Sequence, residues 1–281
     1  MDSTGKLVAM ALGVASSGTL HISQVLMRMG IARFRVGDRG IPARTLYGFG
    51  LMLNFTAPFW VMAANQFADT LWFTSMFATG MVTLVVFSAW ILKEPLNGWQ
   101  VTGALGVMMG TGLLAWAGFL GRESPRAGPG LEGVVVASVL WMVVLPISAG
   151  LIRRRSLPLQ EGIFGLAAGG FLALDALWKS LAQERVDGSV GVLPEGLEAW
   201  TLLGLSFLGA AGAFLMMQWS YWRQCRAAGV MAGYNLMYVT LPLALAGVPT
   251  LMQGRLPWNP VLMAGLLVML MGALMSIKRS D

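Results

Sequence analysis

The chain has 281 residues, of which 56% are hydrophobic and only 11% are charged, and its mean hydropathy is +0.68. Because soluble domains carry roughly 25% charged residues, this composition excludes an ordinary soluble protein and indicates an integral membrane protein. The single cysteine, Cys225, excludes an intrachain disulfide and a cysteine-based metal cluster. The net charge of +6 is compatible with either nucleic-acid binding or membrane topology, so the positions of the bases decide its meaning.

A membrane-spanning helix needs about 20 mostly apolar residues. The apolar stretch after Lys6 runs on past Ala15, so we expect an uncleaved first span rather than a signal peptide. Connections along the chain are short, which predicts one compact all-α bundle without a soluble domain. In chain order the nine predicted spans are 6–29, 44–65, 69–91, 98–119, 131–152, 161–182, 199–221, 227–252 and 259–277.

Basic residues alternate in number between successive loops. Of the 19 Lys and Arg residues, 13 follow the odd-numbered spans, including the arginines between 28 and 44 and the run 153–155. The positive-inside rule therefore predicts an N-terminus outside and a C-terminus in the cytoplasm of the cell (inner or plasma) membrane. Lipid headgroups explain these bases, so the expected partner is the lipid bilayer and not nucleic acid.

Two pairs of segments indicate an internal repeat. "KEPLNGWQVTGALGVMMG" (93–110) and "RLPWNPVLMAGLLVMLMG" (255–272) share a base, a proline and two glycines at equal spacing. "GTLHISQVLMR" (18–28) and "GGFLALDALWK" (169–179) align Gln24 with Asp175. These matches predict four-helix repeats at 1–121 and 159–281, joined by a connector helix within 122–158. An odd connector inverts the second repeat, and transporters of this plan bind solute near the midplane, between the repeats.

The stretch "FWVMAANQFADTLWFTSMFATGMVTLVVFSAWILKEPLNGWQVTGALGVMMGTGLL" (59–114) resembles the drug/metabolite transporter superfamily, of EamA-like type. The nine-span form, with "ASSGTLHISQVLMRMG" first and "NFTAPFWVMA" second, is most similar to NIPA-type putative magnesium transporters. The resemblance implies a secondary transporter that moves a small solute or metabolite by alternating access. Small multidrug resistance proteins carry a glutamate in the first span, and here Leu20 stands at or beside that position.

Six of the polar residues within the predicted spans are the candidate solute-binding groups. Asp175 is the one carboxylate well inside a span, and titratable groups at that depth are costly and often functional. In "AGYNLMYVTLP" (232–242) three polar residues share a helical face, and we expect Pro242 to break the helix beyond them. The candidates are His21, Gln24, Asp175, Tyr234, Asn235 and Tyr238.

Structural explanations compete with functional ones at several of these positions. His21 is either a neutral imidazole bonded to a neighbouring helix or a solute- or proton-binding group. Asp175 and Lys179 are four residues apart on a helix, so they form either a self-neutralising lock or a functional acid, with Lys179 snorkelling outward. For Asn54 we expect an interhelical hydrogen bond rather than a solute contact.

The remaining motifs concern packing and chemistry. "GVMMG" (106–110) and "GLAAG" (165–169) predict close helix contact, within the monomer in preference to between subunits. A homodimer or a membrane-complex partner is left open. No catalytic signature, cofactor motif or metal-ligand cluster is found, so we do not expect an enzyme, a cofactor or a metal site. The alternatives to a solute transporter are a divalent-cation (magnesium) transporter and a non-transporting subunit of a membrane complex.

Overall fold

The computed structural model describes residues 3–37, 42–68, 70–92, 98–120, 130–152, 155–184, 191, 193–252 and 260–277. All regular elements in these ranges are helical, which confirms the all-α class. The helices are α1 (Ser3–Val36), α2 (Ala43–Asn54), α3 (Ala57–Asn65), α4 (Thr70–Ser75), α5 (Gly80–Phe87), α6 (Gly98–Leu120), α7 (Leu131–Ile152), α8 (Leu157–Gln183), α9 (Gly196–Trp222), α10 (Ala227–Met252) and α11 (Pro260–Ile277).

Within the described ranges, eight stretches are long and apolar enough to cross a membrane, so the chain is a multi-pass membrane protein by length and composition. Each overlaps one of the second to ninth predicted spans. The eight are Ala43–Asn65, Trp72–Ile91, Gly98–Ala117, Leu131–Ile152, Leu157–Gln183, Gly196–Trp222, Ala227–Gly247 and Pro260–Ile277. The first predicted span lies within α1, which has 34 residues and is not among the eight.

The polar centre of α1 explains this difference. Its middle turns carry three serines, a histidine and a glutamine, and all five side chains are buried by other helices: Ser16, Ser17, His21, Ser23 and Gln24. These residues lower the hydropathy of a helix that is otherwise apolar. Apolar composition therefore accounts for eight spans rather than nine.

The second and third predicted spans are interrupted rather than straight. The second consists of α2 and α3, which meet at Phe55 and Thr56 in the middle of the span. The backbone N–H of Phe55 bonds the Leu51 carbonyl at 3.0 Å, and Pro58, which has no N–H to donate, stands in the first turn of α3. The third span is divided into α4, a 3₁₀ turn at Phe77–Thr79, α5 and a π-helical turn at Ser88–Leu92.

The break expected at Pro242 is absent, so that prediction is wrong. α10 is one helix from Ala227 to Met252 and passes through Pro242 without interruption. A proline inside a helix removes one backbone hydrogen bond, and within a membrane bundle neighbouring helices and local adjustment compensate for it.

Helices α6 and α11 pack through glycines on both surfaces. A Cβ atom added to Gly103 would lie 2.5 Å from the Gly272 carbonyl oxygen, and one added to Gly110 would lie 2.6 Å from the Gly265 carbonyl oxygen. As the residue number rises on α6 it falls on α11, so the two helices are antiparallel. The contact is possible only because these positions lack side chains.

The small-residue motif GLAAG (165–169) of α8 also packs against another helix of the same chain. Gly165 and Gly169 of α8 lie against the α10 backbone around Val230 and Tyr234, so a side chain at either glycine would collide with it. Together with the α6–α11 contact, this confirms that both motifs serve intramolecular packing. α8 is the most deeply buried long helix described and contacts α3, α7, α9 and α10.

Helix α7, the predicted connector, packs mainly against α8. The Trp141 indole Nε1–H donates to the Ala167 carbonyl at 3.0 Å, and the Trp178 indole Nε1–H donates to the Ser138 hydroxyl at 3.1 Å. Much of the rest of α7 is exposed and apolar. α7 therefore lies at the edge of the bundle, outside the packing of the other long helices.

Candidate functional site

A cavity of about 320 Å³ lies between the first helices of the chain and α8, α9 and α10. One wall comes from α1, α2 and the start of α3, where the interruption of the second span leaves room beside α9. The opposite wall comes mainly from α9, whose small residues keep its backbone close to the cavity. The lining residues are Leu20, Gln24, Asn54, Phe55, Ala57, Pro58, Leu172, Asp175, Phe207, Ala210, Ala211, Ala213, Phe214, Met217 and Tyr234.

The polar end of the cavity is held by a chain of hydrogen bonds from three helices. The Gln24 side-chain Nε2 of α1 donates to the Asn54 side-chain Oδ1 of α2 at 3.1 Å. The Tyr221 hydroxyl of α9 donates to the Gln24 side-chain Oε1 at 2.9 Å. Gln24 is therefore fixed between α2 and α9, and its amide orientation is set by both neighbours.

Asp175 enters the same cavity from α8 and forms an ion pair with Lys179 one turn later. The Lys179 side chain is 0% exposed, and its ammonium also lies 5.2 Å from the centre of the Phe207 ring. Lys179 thus does not snorkel to the membrane surface, and the pair stays inside the protein with its carboxylate towards the cavity.

His21 lies beside the cavity and does not line it. Its Nδ1 is 2.7 Å from the Ser17 carbonyl oxygen, so Nδ1 carries the proton, and its Nε2 is 3.3 Å from the Asn235 amide nitrogen. The ring is therefore a neutral imidazole that bridges α1 and α10. The Asn235 Oδ1 atom has no hydrogen-bond partner among the described residues, so this cluster retains one acceptor.

An aromatic group connects the His21 cluster to the cavity. The Tyr234 and Tyr238 rings of α10 are stacked with centroids 6.1 Å apart, and the Phe77 ring lies 4.5 Å from that of Tyr238. Tyr234 lines the cavity, whereas Tyr238 is buried behind it.

The six candidates thus form two adjacent groups. Gln24, Asp175 and Tyr234 line the cavity, while His21, Asn235 and Tyr238 pack behind it. The interhelical hydrogen bond expected of Asn54 is present, to Gln24, and Asn54 also lines the cavity. Tyr221 and the small-residue wall of α9 were not predicted. The interruption beside Pro58 was the available signal for Asn54, because a helix that ends at mid-span presents its last side chains to the interior.

The helices on either side of the cavity also form hydrogen bonds at both of its ends. At one end, the Tyr47 hydroxyl of α2 donates to the Gln218 side-chain Oε1 of α9 at 3.1 Å, and Arg28 of α1 donates to the Cys225 backbone carbonyl. At the other end, the Asn65 side-chain Nδ2 of α3 donates to the Gln183 side-chain Oε1 of α8 at 2.8 Å. The cavity therefore lies between two sets of interhelical hydrogen bonds, one at each end.

A buried carboxylate supports the turn between α9 and α10. Glu161 of α8 accepts from Arg226 Nε at 3.0 Å and Nη2 at 2.7 Å, and also from the Arg226 backbone N–H at 2.8 Å. The same guanidinium donates to the Ile277 carbonyl at 3.0 Å. This bidentate pair ties the ends of α8, α10 and α11 together.

Cys225 lies in this turn and is expected to be nearly inert. Burial, reinforced by the Glu161 carboxylate, raises the pKa of the Cys225 thiol from 9.0 to about 12. Because the thiolate is the reactive form, we expect alkylation in the native protein at pH 7.5 to be roughly a thousandfold slower than for a free thiol, rising with pH towards 12. Maleimide labelling followed by mass spectrometry measures this rate, with the detergent-denatured chain as control. Rapid labelling of the native protein contradicts the expectation.

The chain matches no protein-family model, no curated protein and no solved structure.

Proposed function

We propose that the chain is a secondary transporter that carries a small solute by alternating access, of the drug/metabolite transporter type. It has nine spans, with α1 as the first. One repeat consists of α1 to α6 and the other of α8 to α11, with α7 as the connector. The repeats are inverted, and the binding site is the cavity between them.

The observation that carries this proposal is the position of the cavity and its polar end. Gln24 and Asn54 come from the first repeat and Asp175 from the second, and all three line one cavity within the spans. A hydrogen-bonding group at that depth costs free energy unless it is paired with another helix or with a bound solute. A site shared by two halves that contact each other at both ends is the arrangement that alternating access requires.

The α6–α11 contact supports inverted repeats. The sequence aligns Gly103 with Gly265 and Gly110 with Gly272. When each residue is exchanged for its counterpart, the contact of Gly103 with Gly272 becomes that of Gly265 with Gly110, which is also present. A contact that maps onto itself between antiparallel helices is expected at a two-fold axis in the membrane plane.

The other helix contacts follow the same plan. α1 packs against α2 and against the pieces of the third span, and α8 packs correspondingly against α9 and α10. The basic residues support the orientation, because Arg28, Arg223 and Arg226 gather at the end of the bundle that holds the α9–α10 turn. By the positive-inside rule this end is cytoplasmic.

An organic solute is favoured over magnesium by the chemistry of the cavity. Magnesium requires near-octahedral oxygen ligands and usually more than one carboxylate or phosphate. Asp175 is the one carboxylate among the cavity-lining residues, and it is already paired with Lys179.

If the protein works by alternating access, weakening the hydrogen bonds at one end of the cavity raises thiol labelling from that side of the membrane and lowers it from the other side. In a chain with Cys225→Ser and a reporter cysteine at Ala213, which is buried against the cavity, labelling with a membrane-impermeant thiol reagent is measured from each side. Asn65→Ala removes the Asn65–Gln183 hydrogen bond at the outer end of the cavity. It is expected to raise the rate of labelling from outside about fivefold, the factor for a hydrogen bond worth roughly 1 kcal/mol. Tyr47→Phe removes the Tyr47–Gln218 hydrogen bond at the cytoplasmic end and is expected to raise the rate of labelling from inside by a similar factor.

The diagnostic result is that each variant lowers labelling from the opposite side. Thr19→Ala, which removes an exposed hydroxyl bonded within α1, is the control and leaves both rates unchanged. A cysteine at Ser3 labelled from outside establishes the orientation. Variants that raise labelling from both sides together, or from neither, contradict the proposal.

A further inference from the structure

The cavity changes character from its inner end to its mouth. The inner end holds the polar groups and is buried, with Asp175 and Gln24 almost inaccessible. The mouth is apolar and exposed, with the Phe55 side chain 65% and the Phe207 side chain 49% accessible. The space therefore has the distribution of polarity expected for a ligand with a polar end and an apolar end.

The mouth opens at the middle of the spans. Phe55 stands halfway along the span Ala43–Asn65, and Ala211 stands close to the middle of α9, Gly196–Trp222. Exposed residues at this depth contact lipid hydrocarbon rather than water. α2 and α9 are joined nearer the cytoplasmic end by Tyr47 and Gln218, so the mouth is a lateral gap between these two helices.

The polar end carries no net charge. Among the lining residues that the structure describes, Asp175 is the one that is charged, and Lys179 neutralises it. A ligand with its own net charge would leave that charge uncompensated at bilayer depth, at a cost of several kcal/mol. An uncharged head with hydroxyl groups avoids this cost, because hydroxyls donate to carboxylate and amide oxygens and accept from amide nitrogens.

The volume limits the size of the ligand. The cavity has a volume of about 320 Å³. This space accommodates a glycerol-sized head and the first carbons of one chain, and it is too small to enclose a whole two-chain lipid. The rest of the chain passes through the mouth into the bilayer.

We propose that the solute is a single-chain amphiphile with an uncharged, hydroxyl-bearing head, which enters sideways from the bilayer between α2 and α9. The head lies against Gln24, Asn54 and Asp175, and the chain passes between Phe55 and Ala211. This inference rests on the proposed function, because it names the class of solute that the transporter carries.

Photolabelling in nanodiscs of phosphatidylcholine tests the proposal without measuring transport. The probe is a monoacylglycerol whose acyl chain bears a diazirine and an alkyne. Two probes with the same chain carry a carboxylate or a trimethylammonium head, and a fourth is a diacyl phosphatidylcholine. We expect the monoacylglycerol to label cavity-wall peptides of α9 at least about tenfold more than any of the others, equivalent to about 1.4 kcal/mol.

Two α9 variants separate the cavity from the lipid-facing surface. Ala211→Trp fills the mouth and is expected to reduce labelling at least about tenfold. Leu215→Trp introduces the same side chain one turn away, at an exposed position outside the cavity, and leaves labelling unchanged. Asn54→Leu removes one polar partner of the head and reduces labelling severalfold without closing the mouth.

The outcomes distinguish this inference from the proposed function. Equal labelling by charged heads or by the diacyl lipid overturns the inference, as does labelling that survives Ala211→Trp. If thiol labelling at position 213 changes in opposite directions from the two sides but the monoacylglycerol does not label the cavity, the amphiphile inference is wrong and the proposed transport function stands. Cavity labelling without reciprocal accessibility leaves a lipid-binding membrane protein that does not transport.

Discussion

Lys179→Met is expected to destabilise the folded protein by about 3–5 kcal/mol, the cost of leaving one partner of a buried ion pair without its counterion. Asp175→Asn is expected to have a similar cost, because it leaves the fully buried Lys179 ammonium unpaired. The double variant Asp175→Asn/Lys179→Met removes both charges and is expected to recover most of this loss. Denaturant unfolding in detergent measures the effect, with the exposed Glu198→Gln as control.

The double variant also separates a structural lock from a ligand group. Asp175→Asn alone does not make this distinction, since a loss of activity follows from either role. If Asp175 contacts the solute, the double variant folds but labels poorly with the monoacylglycerol probe. If the pair only stabilises α8, stability and labelling recover together. A double variant as unstable as each single variant contradicts the charge-compensation argument itself.

Gly272→Ala is the second change with a large expected effect. The added Cβ would lie 2.5 Å from the Val107 backbone nitrogen and 2.6 Å from the Gly103 carbonyl oxygen. Backbone atoms cannot move aside as a flexible side chain does, so α6 and α11 must separate. We expect a loss of about 1–3 kcal/mol, the usual cost of overpacking, measured as a lower thermal midpoint in detergent.

The same pair of helices offers a matched partner and a control for this prediction. Gly110→Ala is expected to cost about as much as Gly272→Ala, because its Cβ would lie 2.6 Å from the Gly265 carbonyl oxygen. Gly112 is on the same helix with no atom within 4 Å of an added Cβ. Gly112→Ala is therefore expected to be neutral or to stabilise by up to about 1 kcal/mol through helix propensity. Equal losses at all three positions contradict the packing argument.

Hydropathy predicted the helical class and the bounds of most spans. The ranges 131–152 and 227–252 agree with α7 and α10 to the residue, because in lipid the backbone must satisfy its own hydrogen bonds and apolar length alone defines a helix. The interruptions at Phe55 and around Phe77 were not predicted. They depend on which neighbouring helix fills the space beside them, and hydropathy contains no such information.

For the site, the internal repeat was more informative than any single residue. Aligning Gln24 with Asp175 related two positions that line the same cavity, although they are far apart in sequence. The roles of Tyr221 and the α9 wall had no comparable signal. Ala210, Ala211 and Ala213 resemble the small residues of any span, and only the distance to α2 makes them part of a cavity.

The polar centre of α1 has a consequence for biosynthesis. α1 is synthesised before α2 to α11, whereas the partners that cover its polar side chains come later: Gly50 for Ser23, Asn54 for Gln24 and Asn235 for His21. Until α10 is made, more than 200 residues after His21, the imidazole has no partner outside its own helix among these contacts. The polar groups of α1 are therefore fully paired only after α10 has been synthesised. Truncation after α9 should leave the His21 side chain of α1 accessible to water.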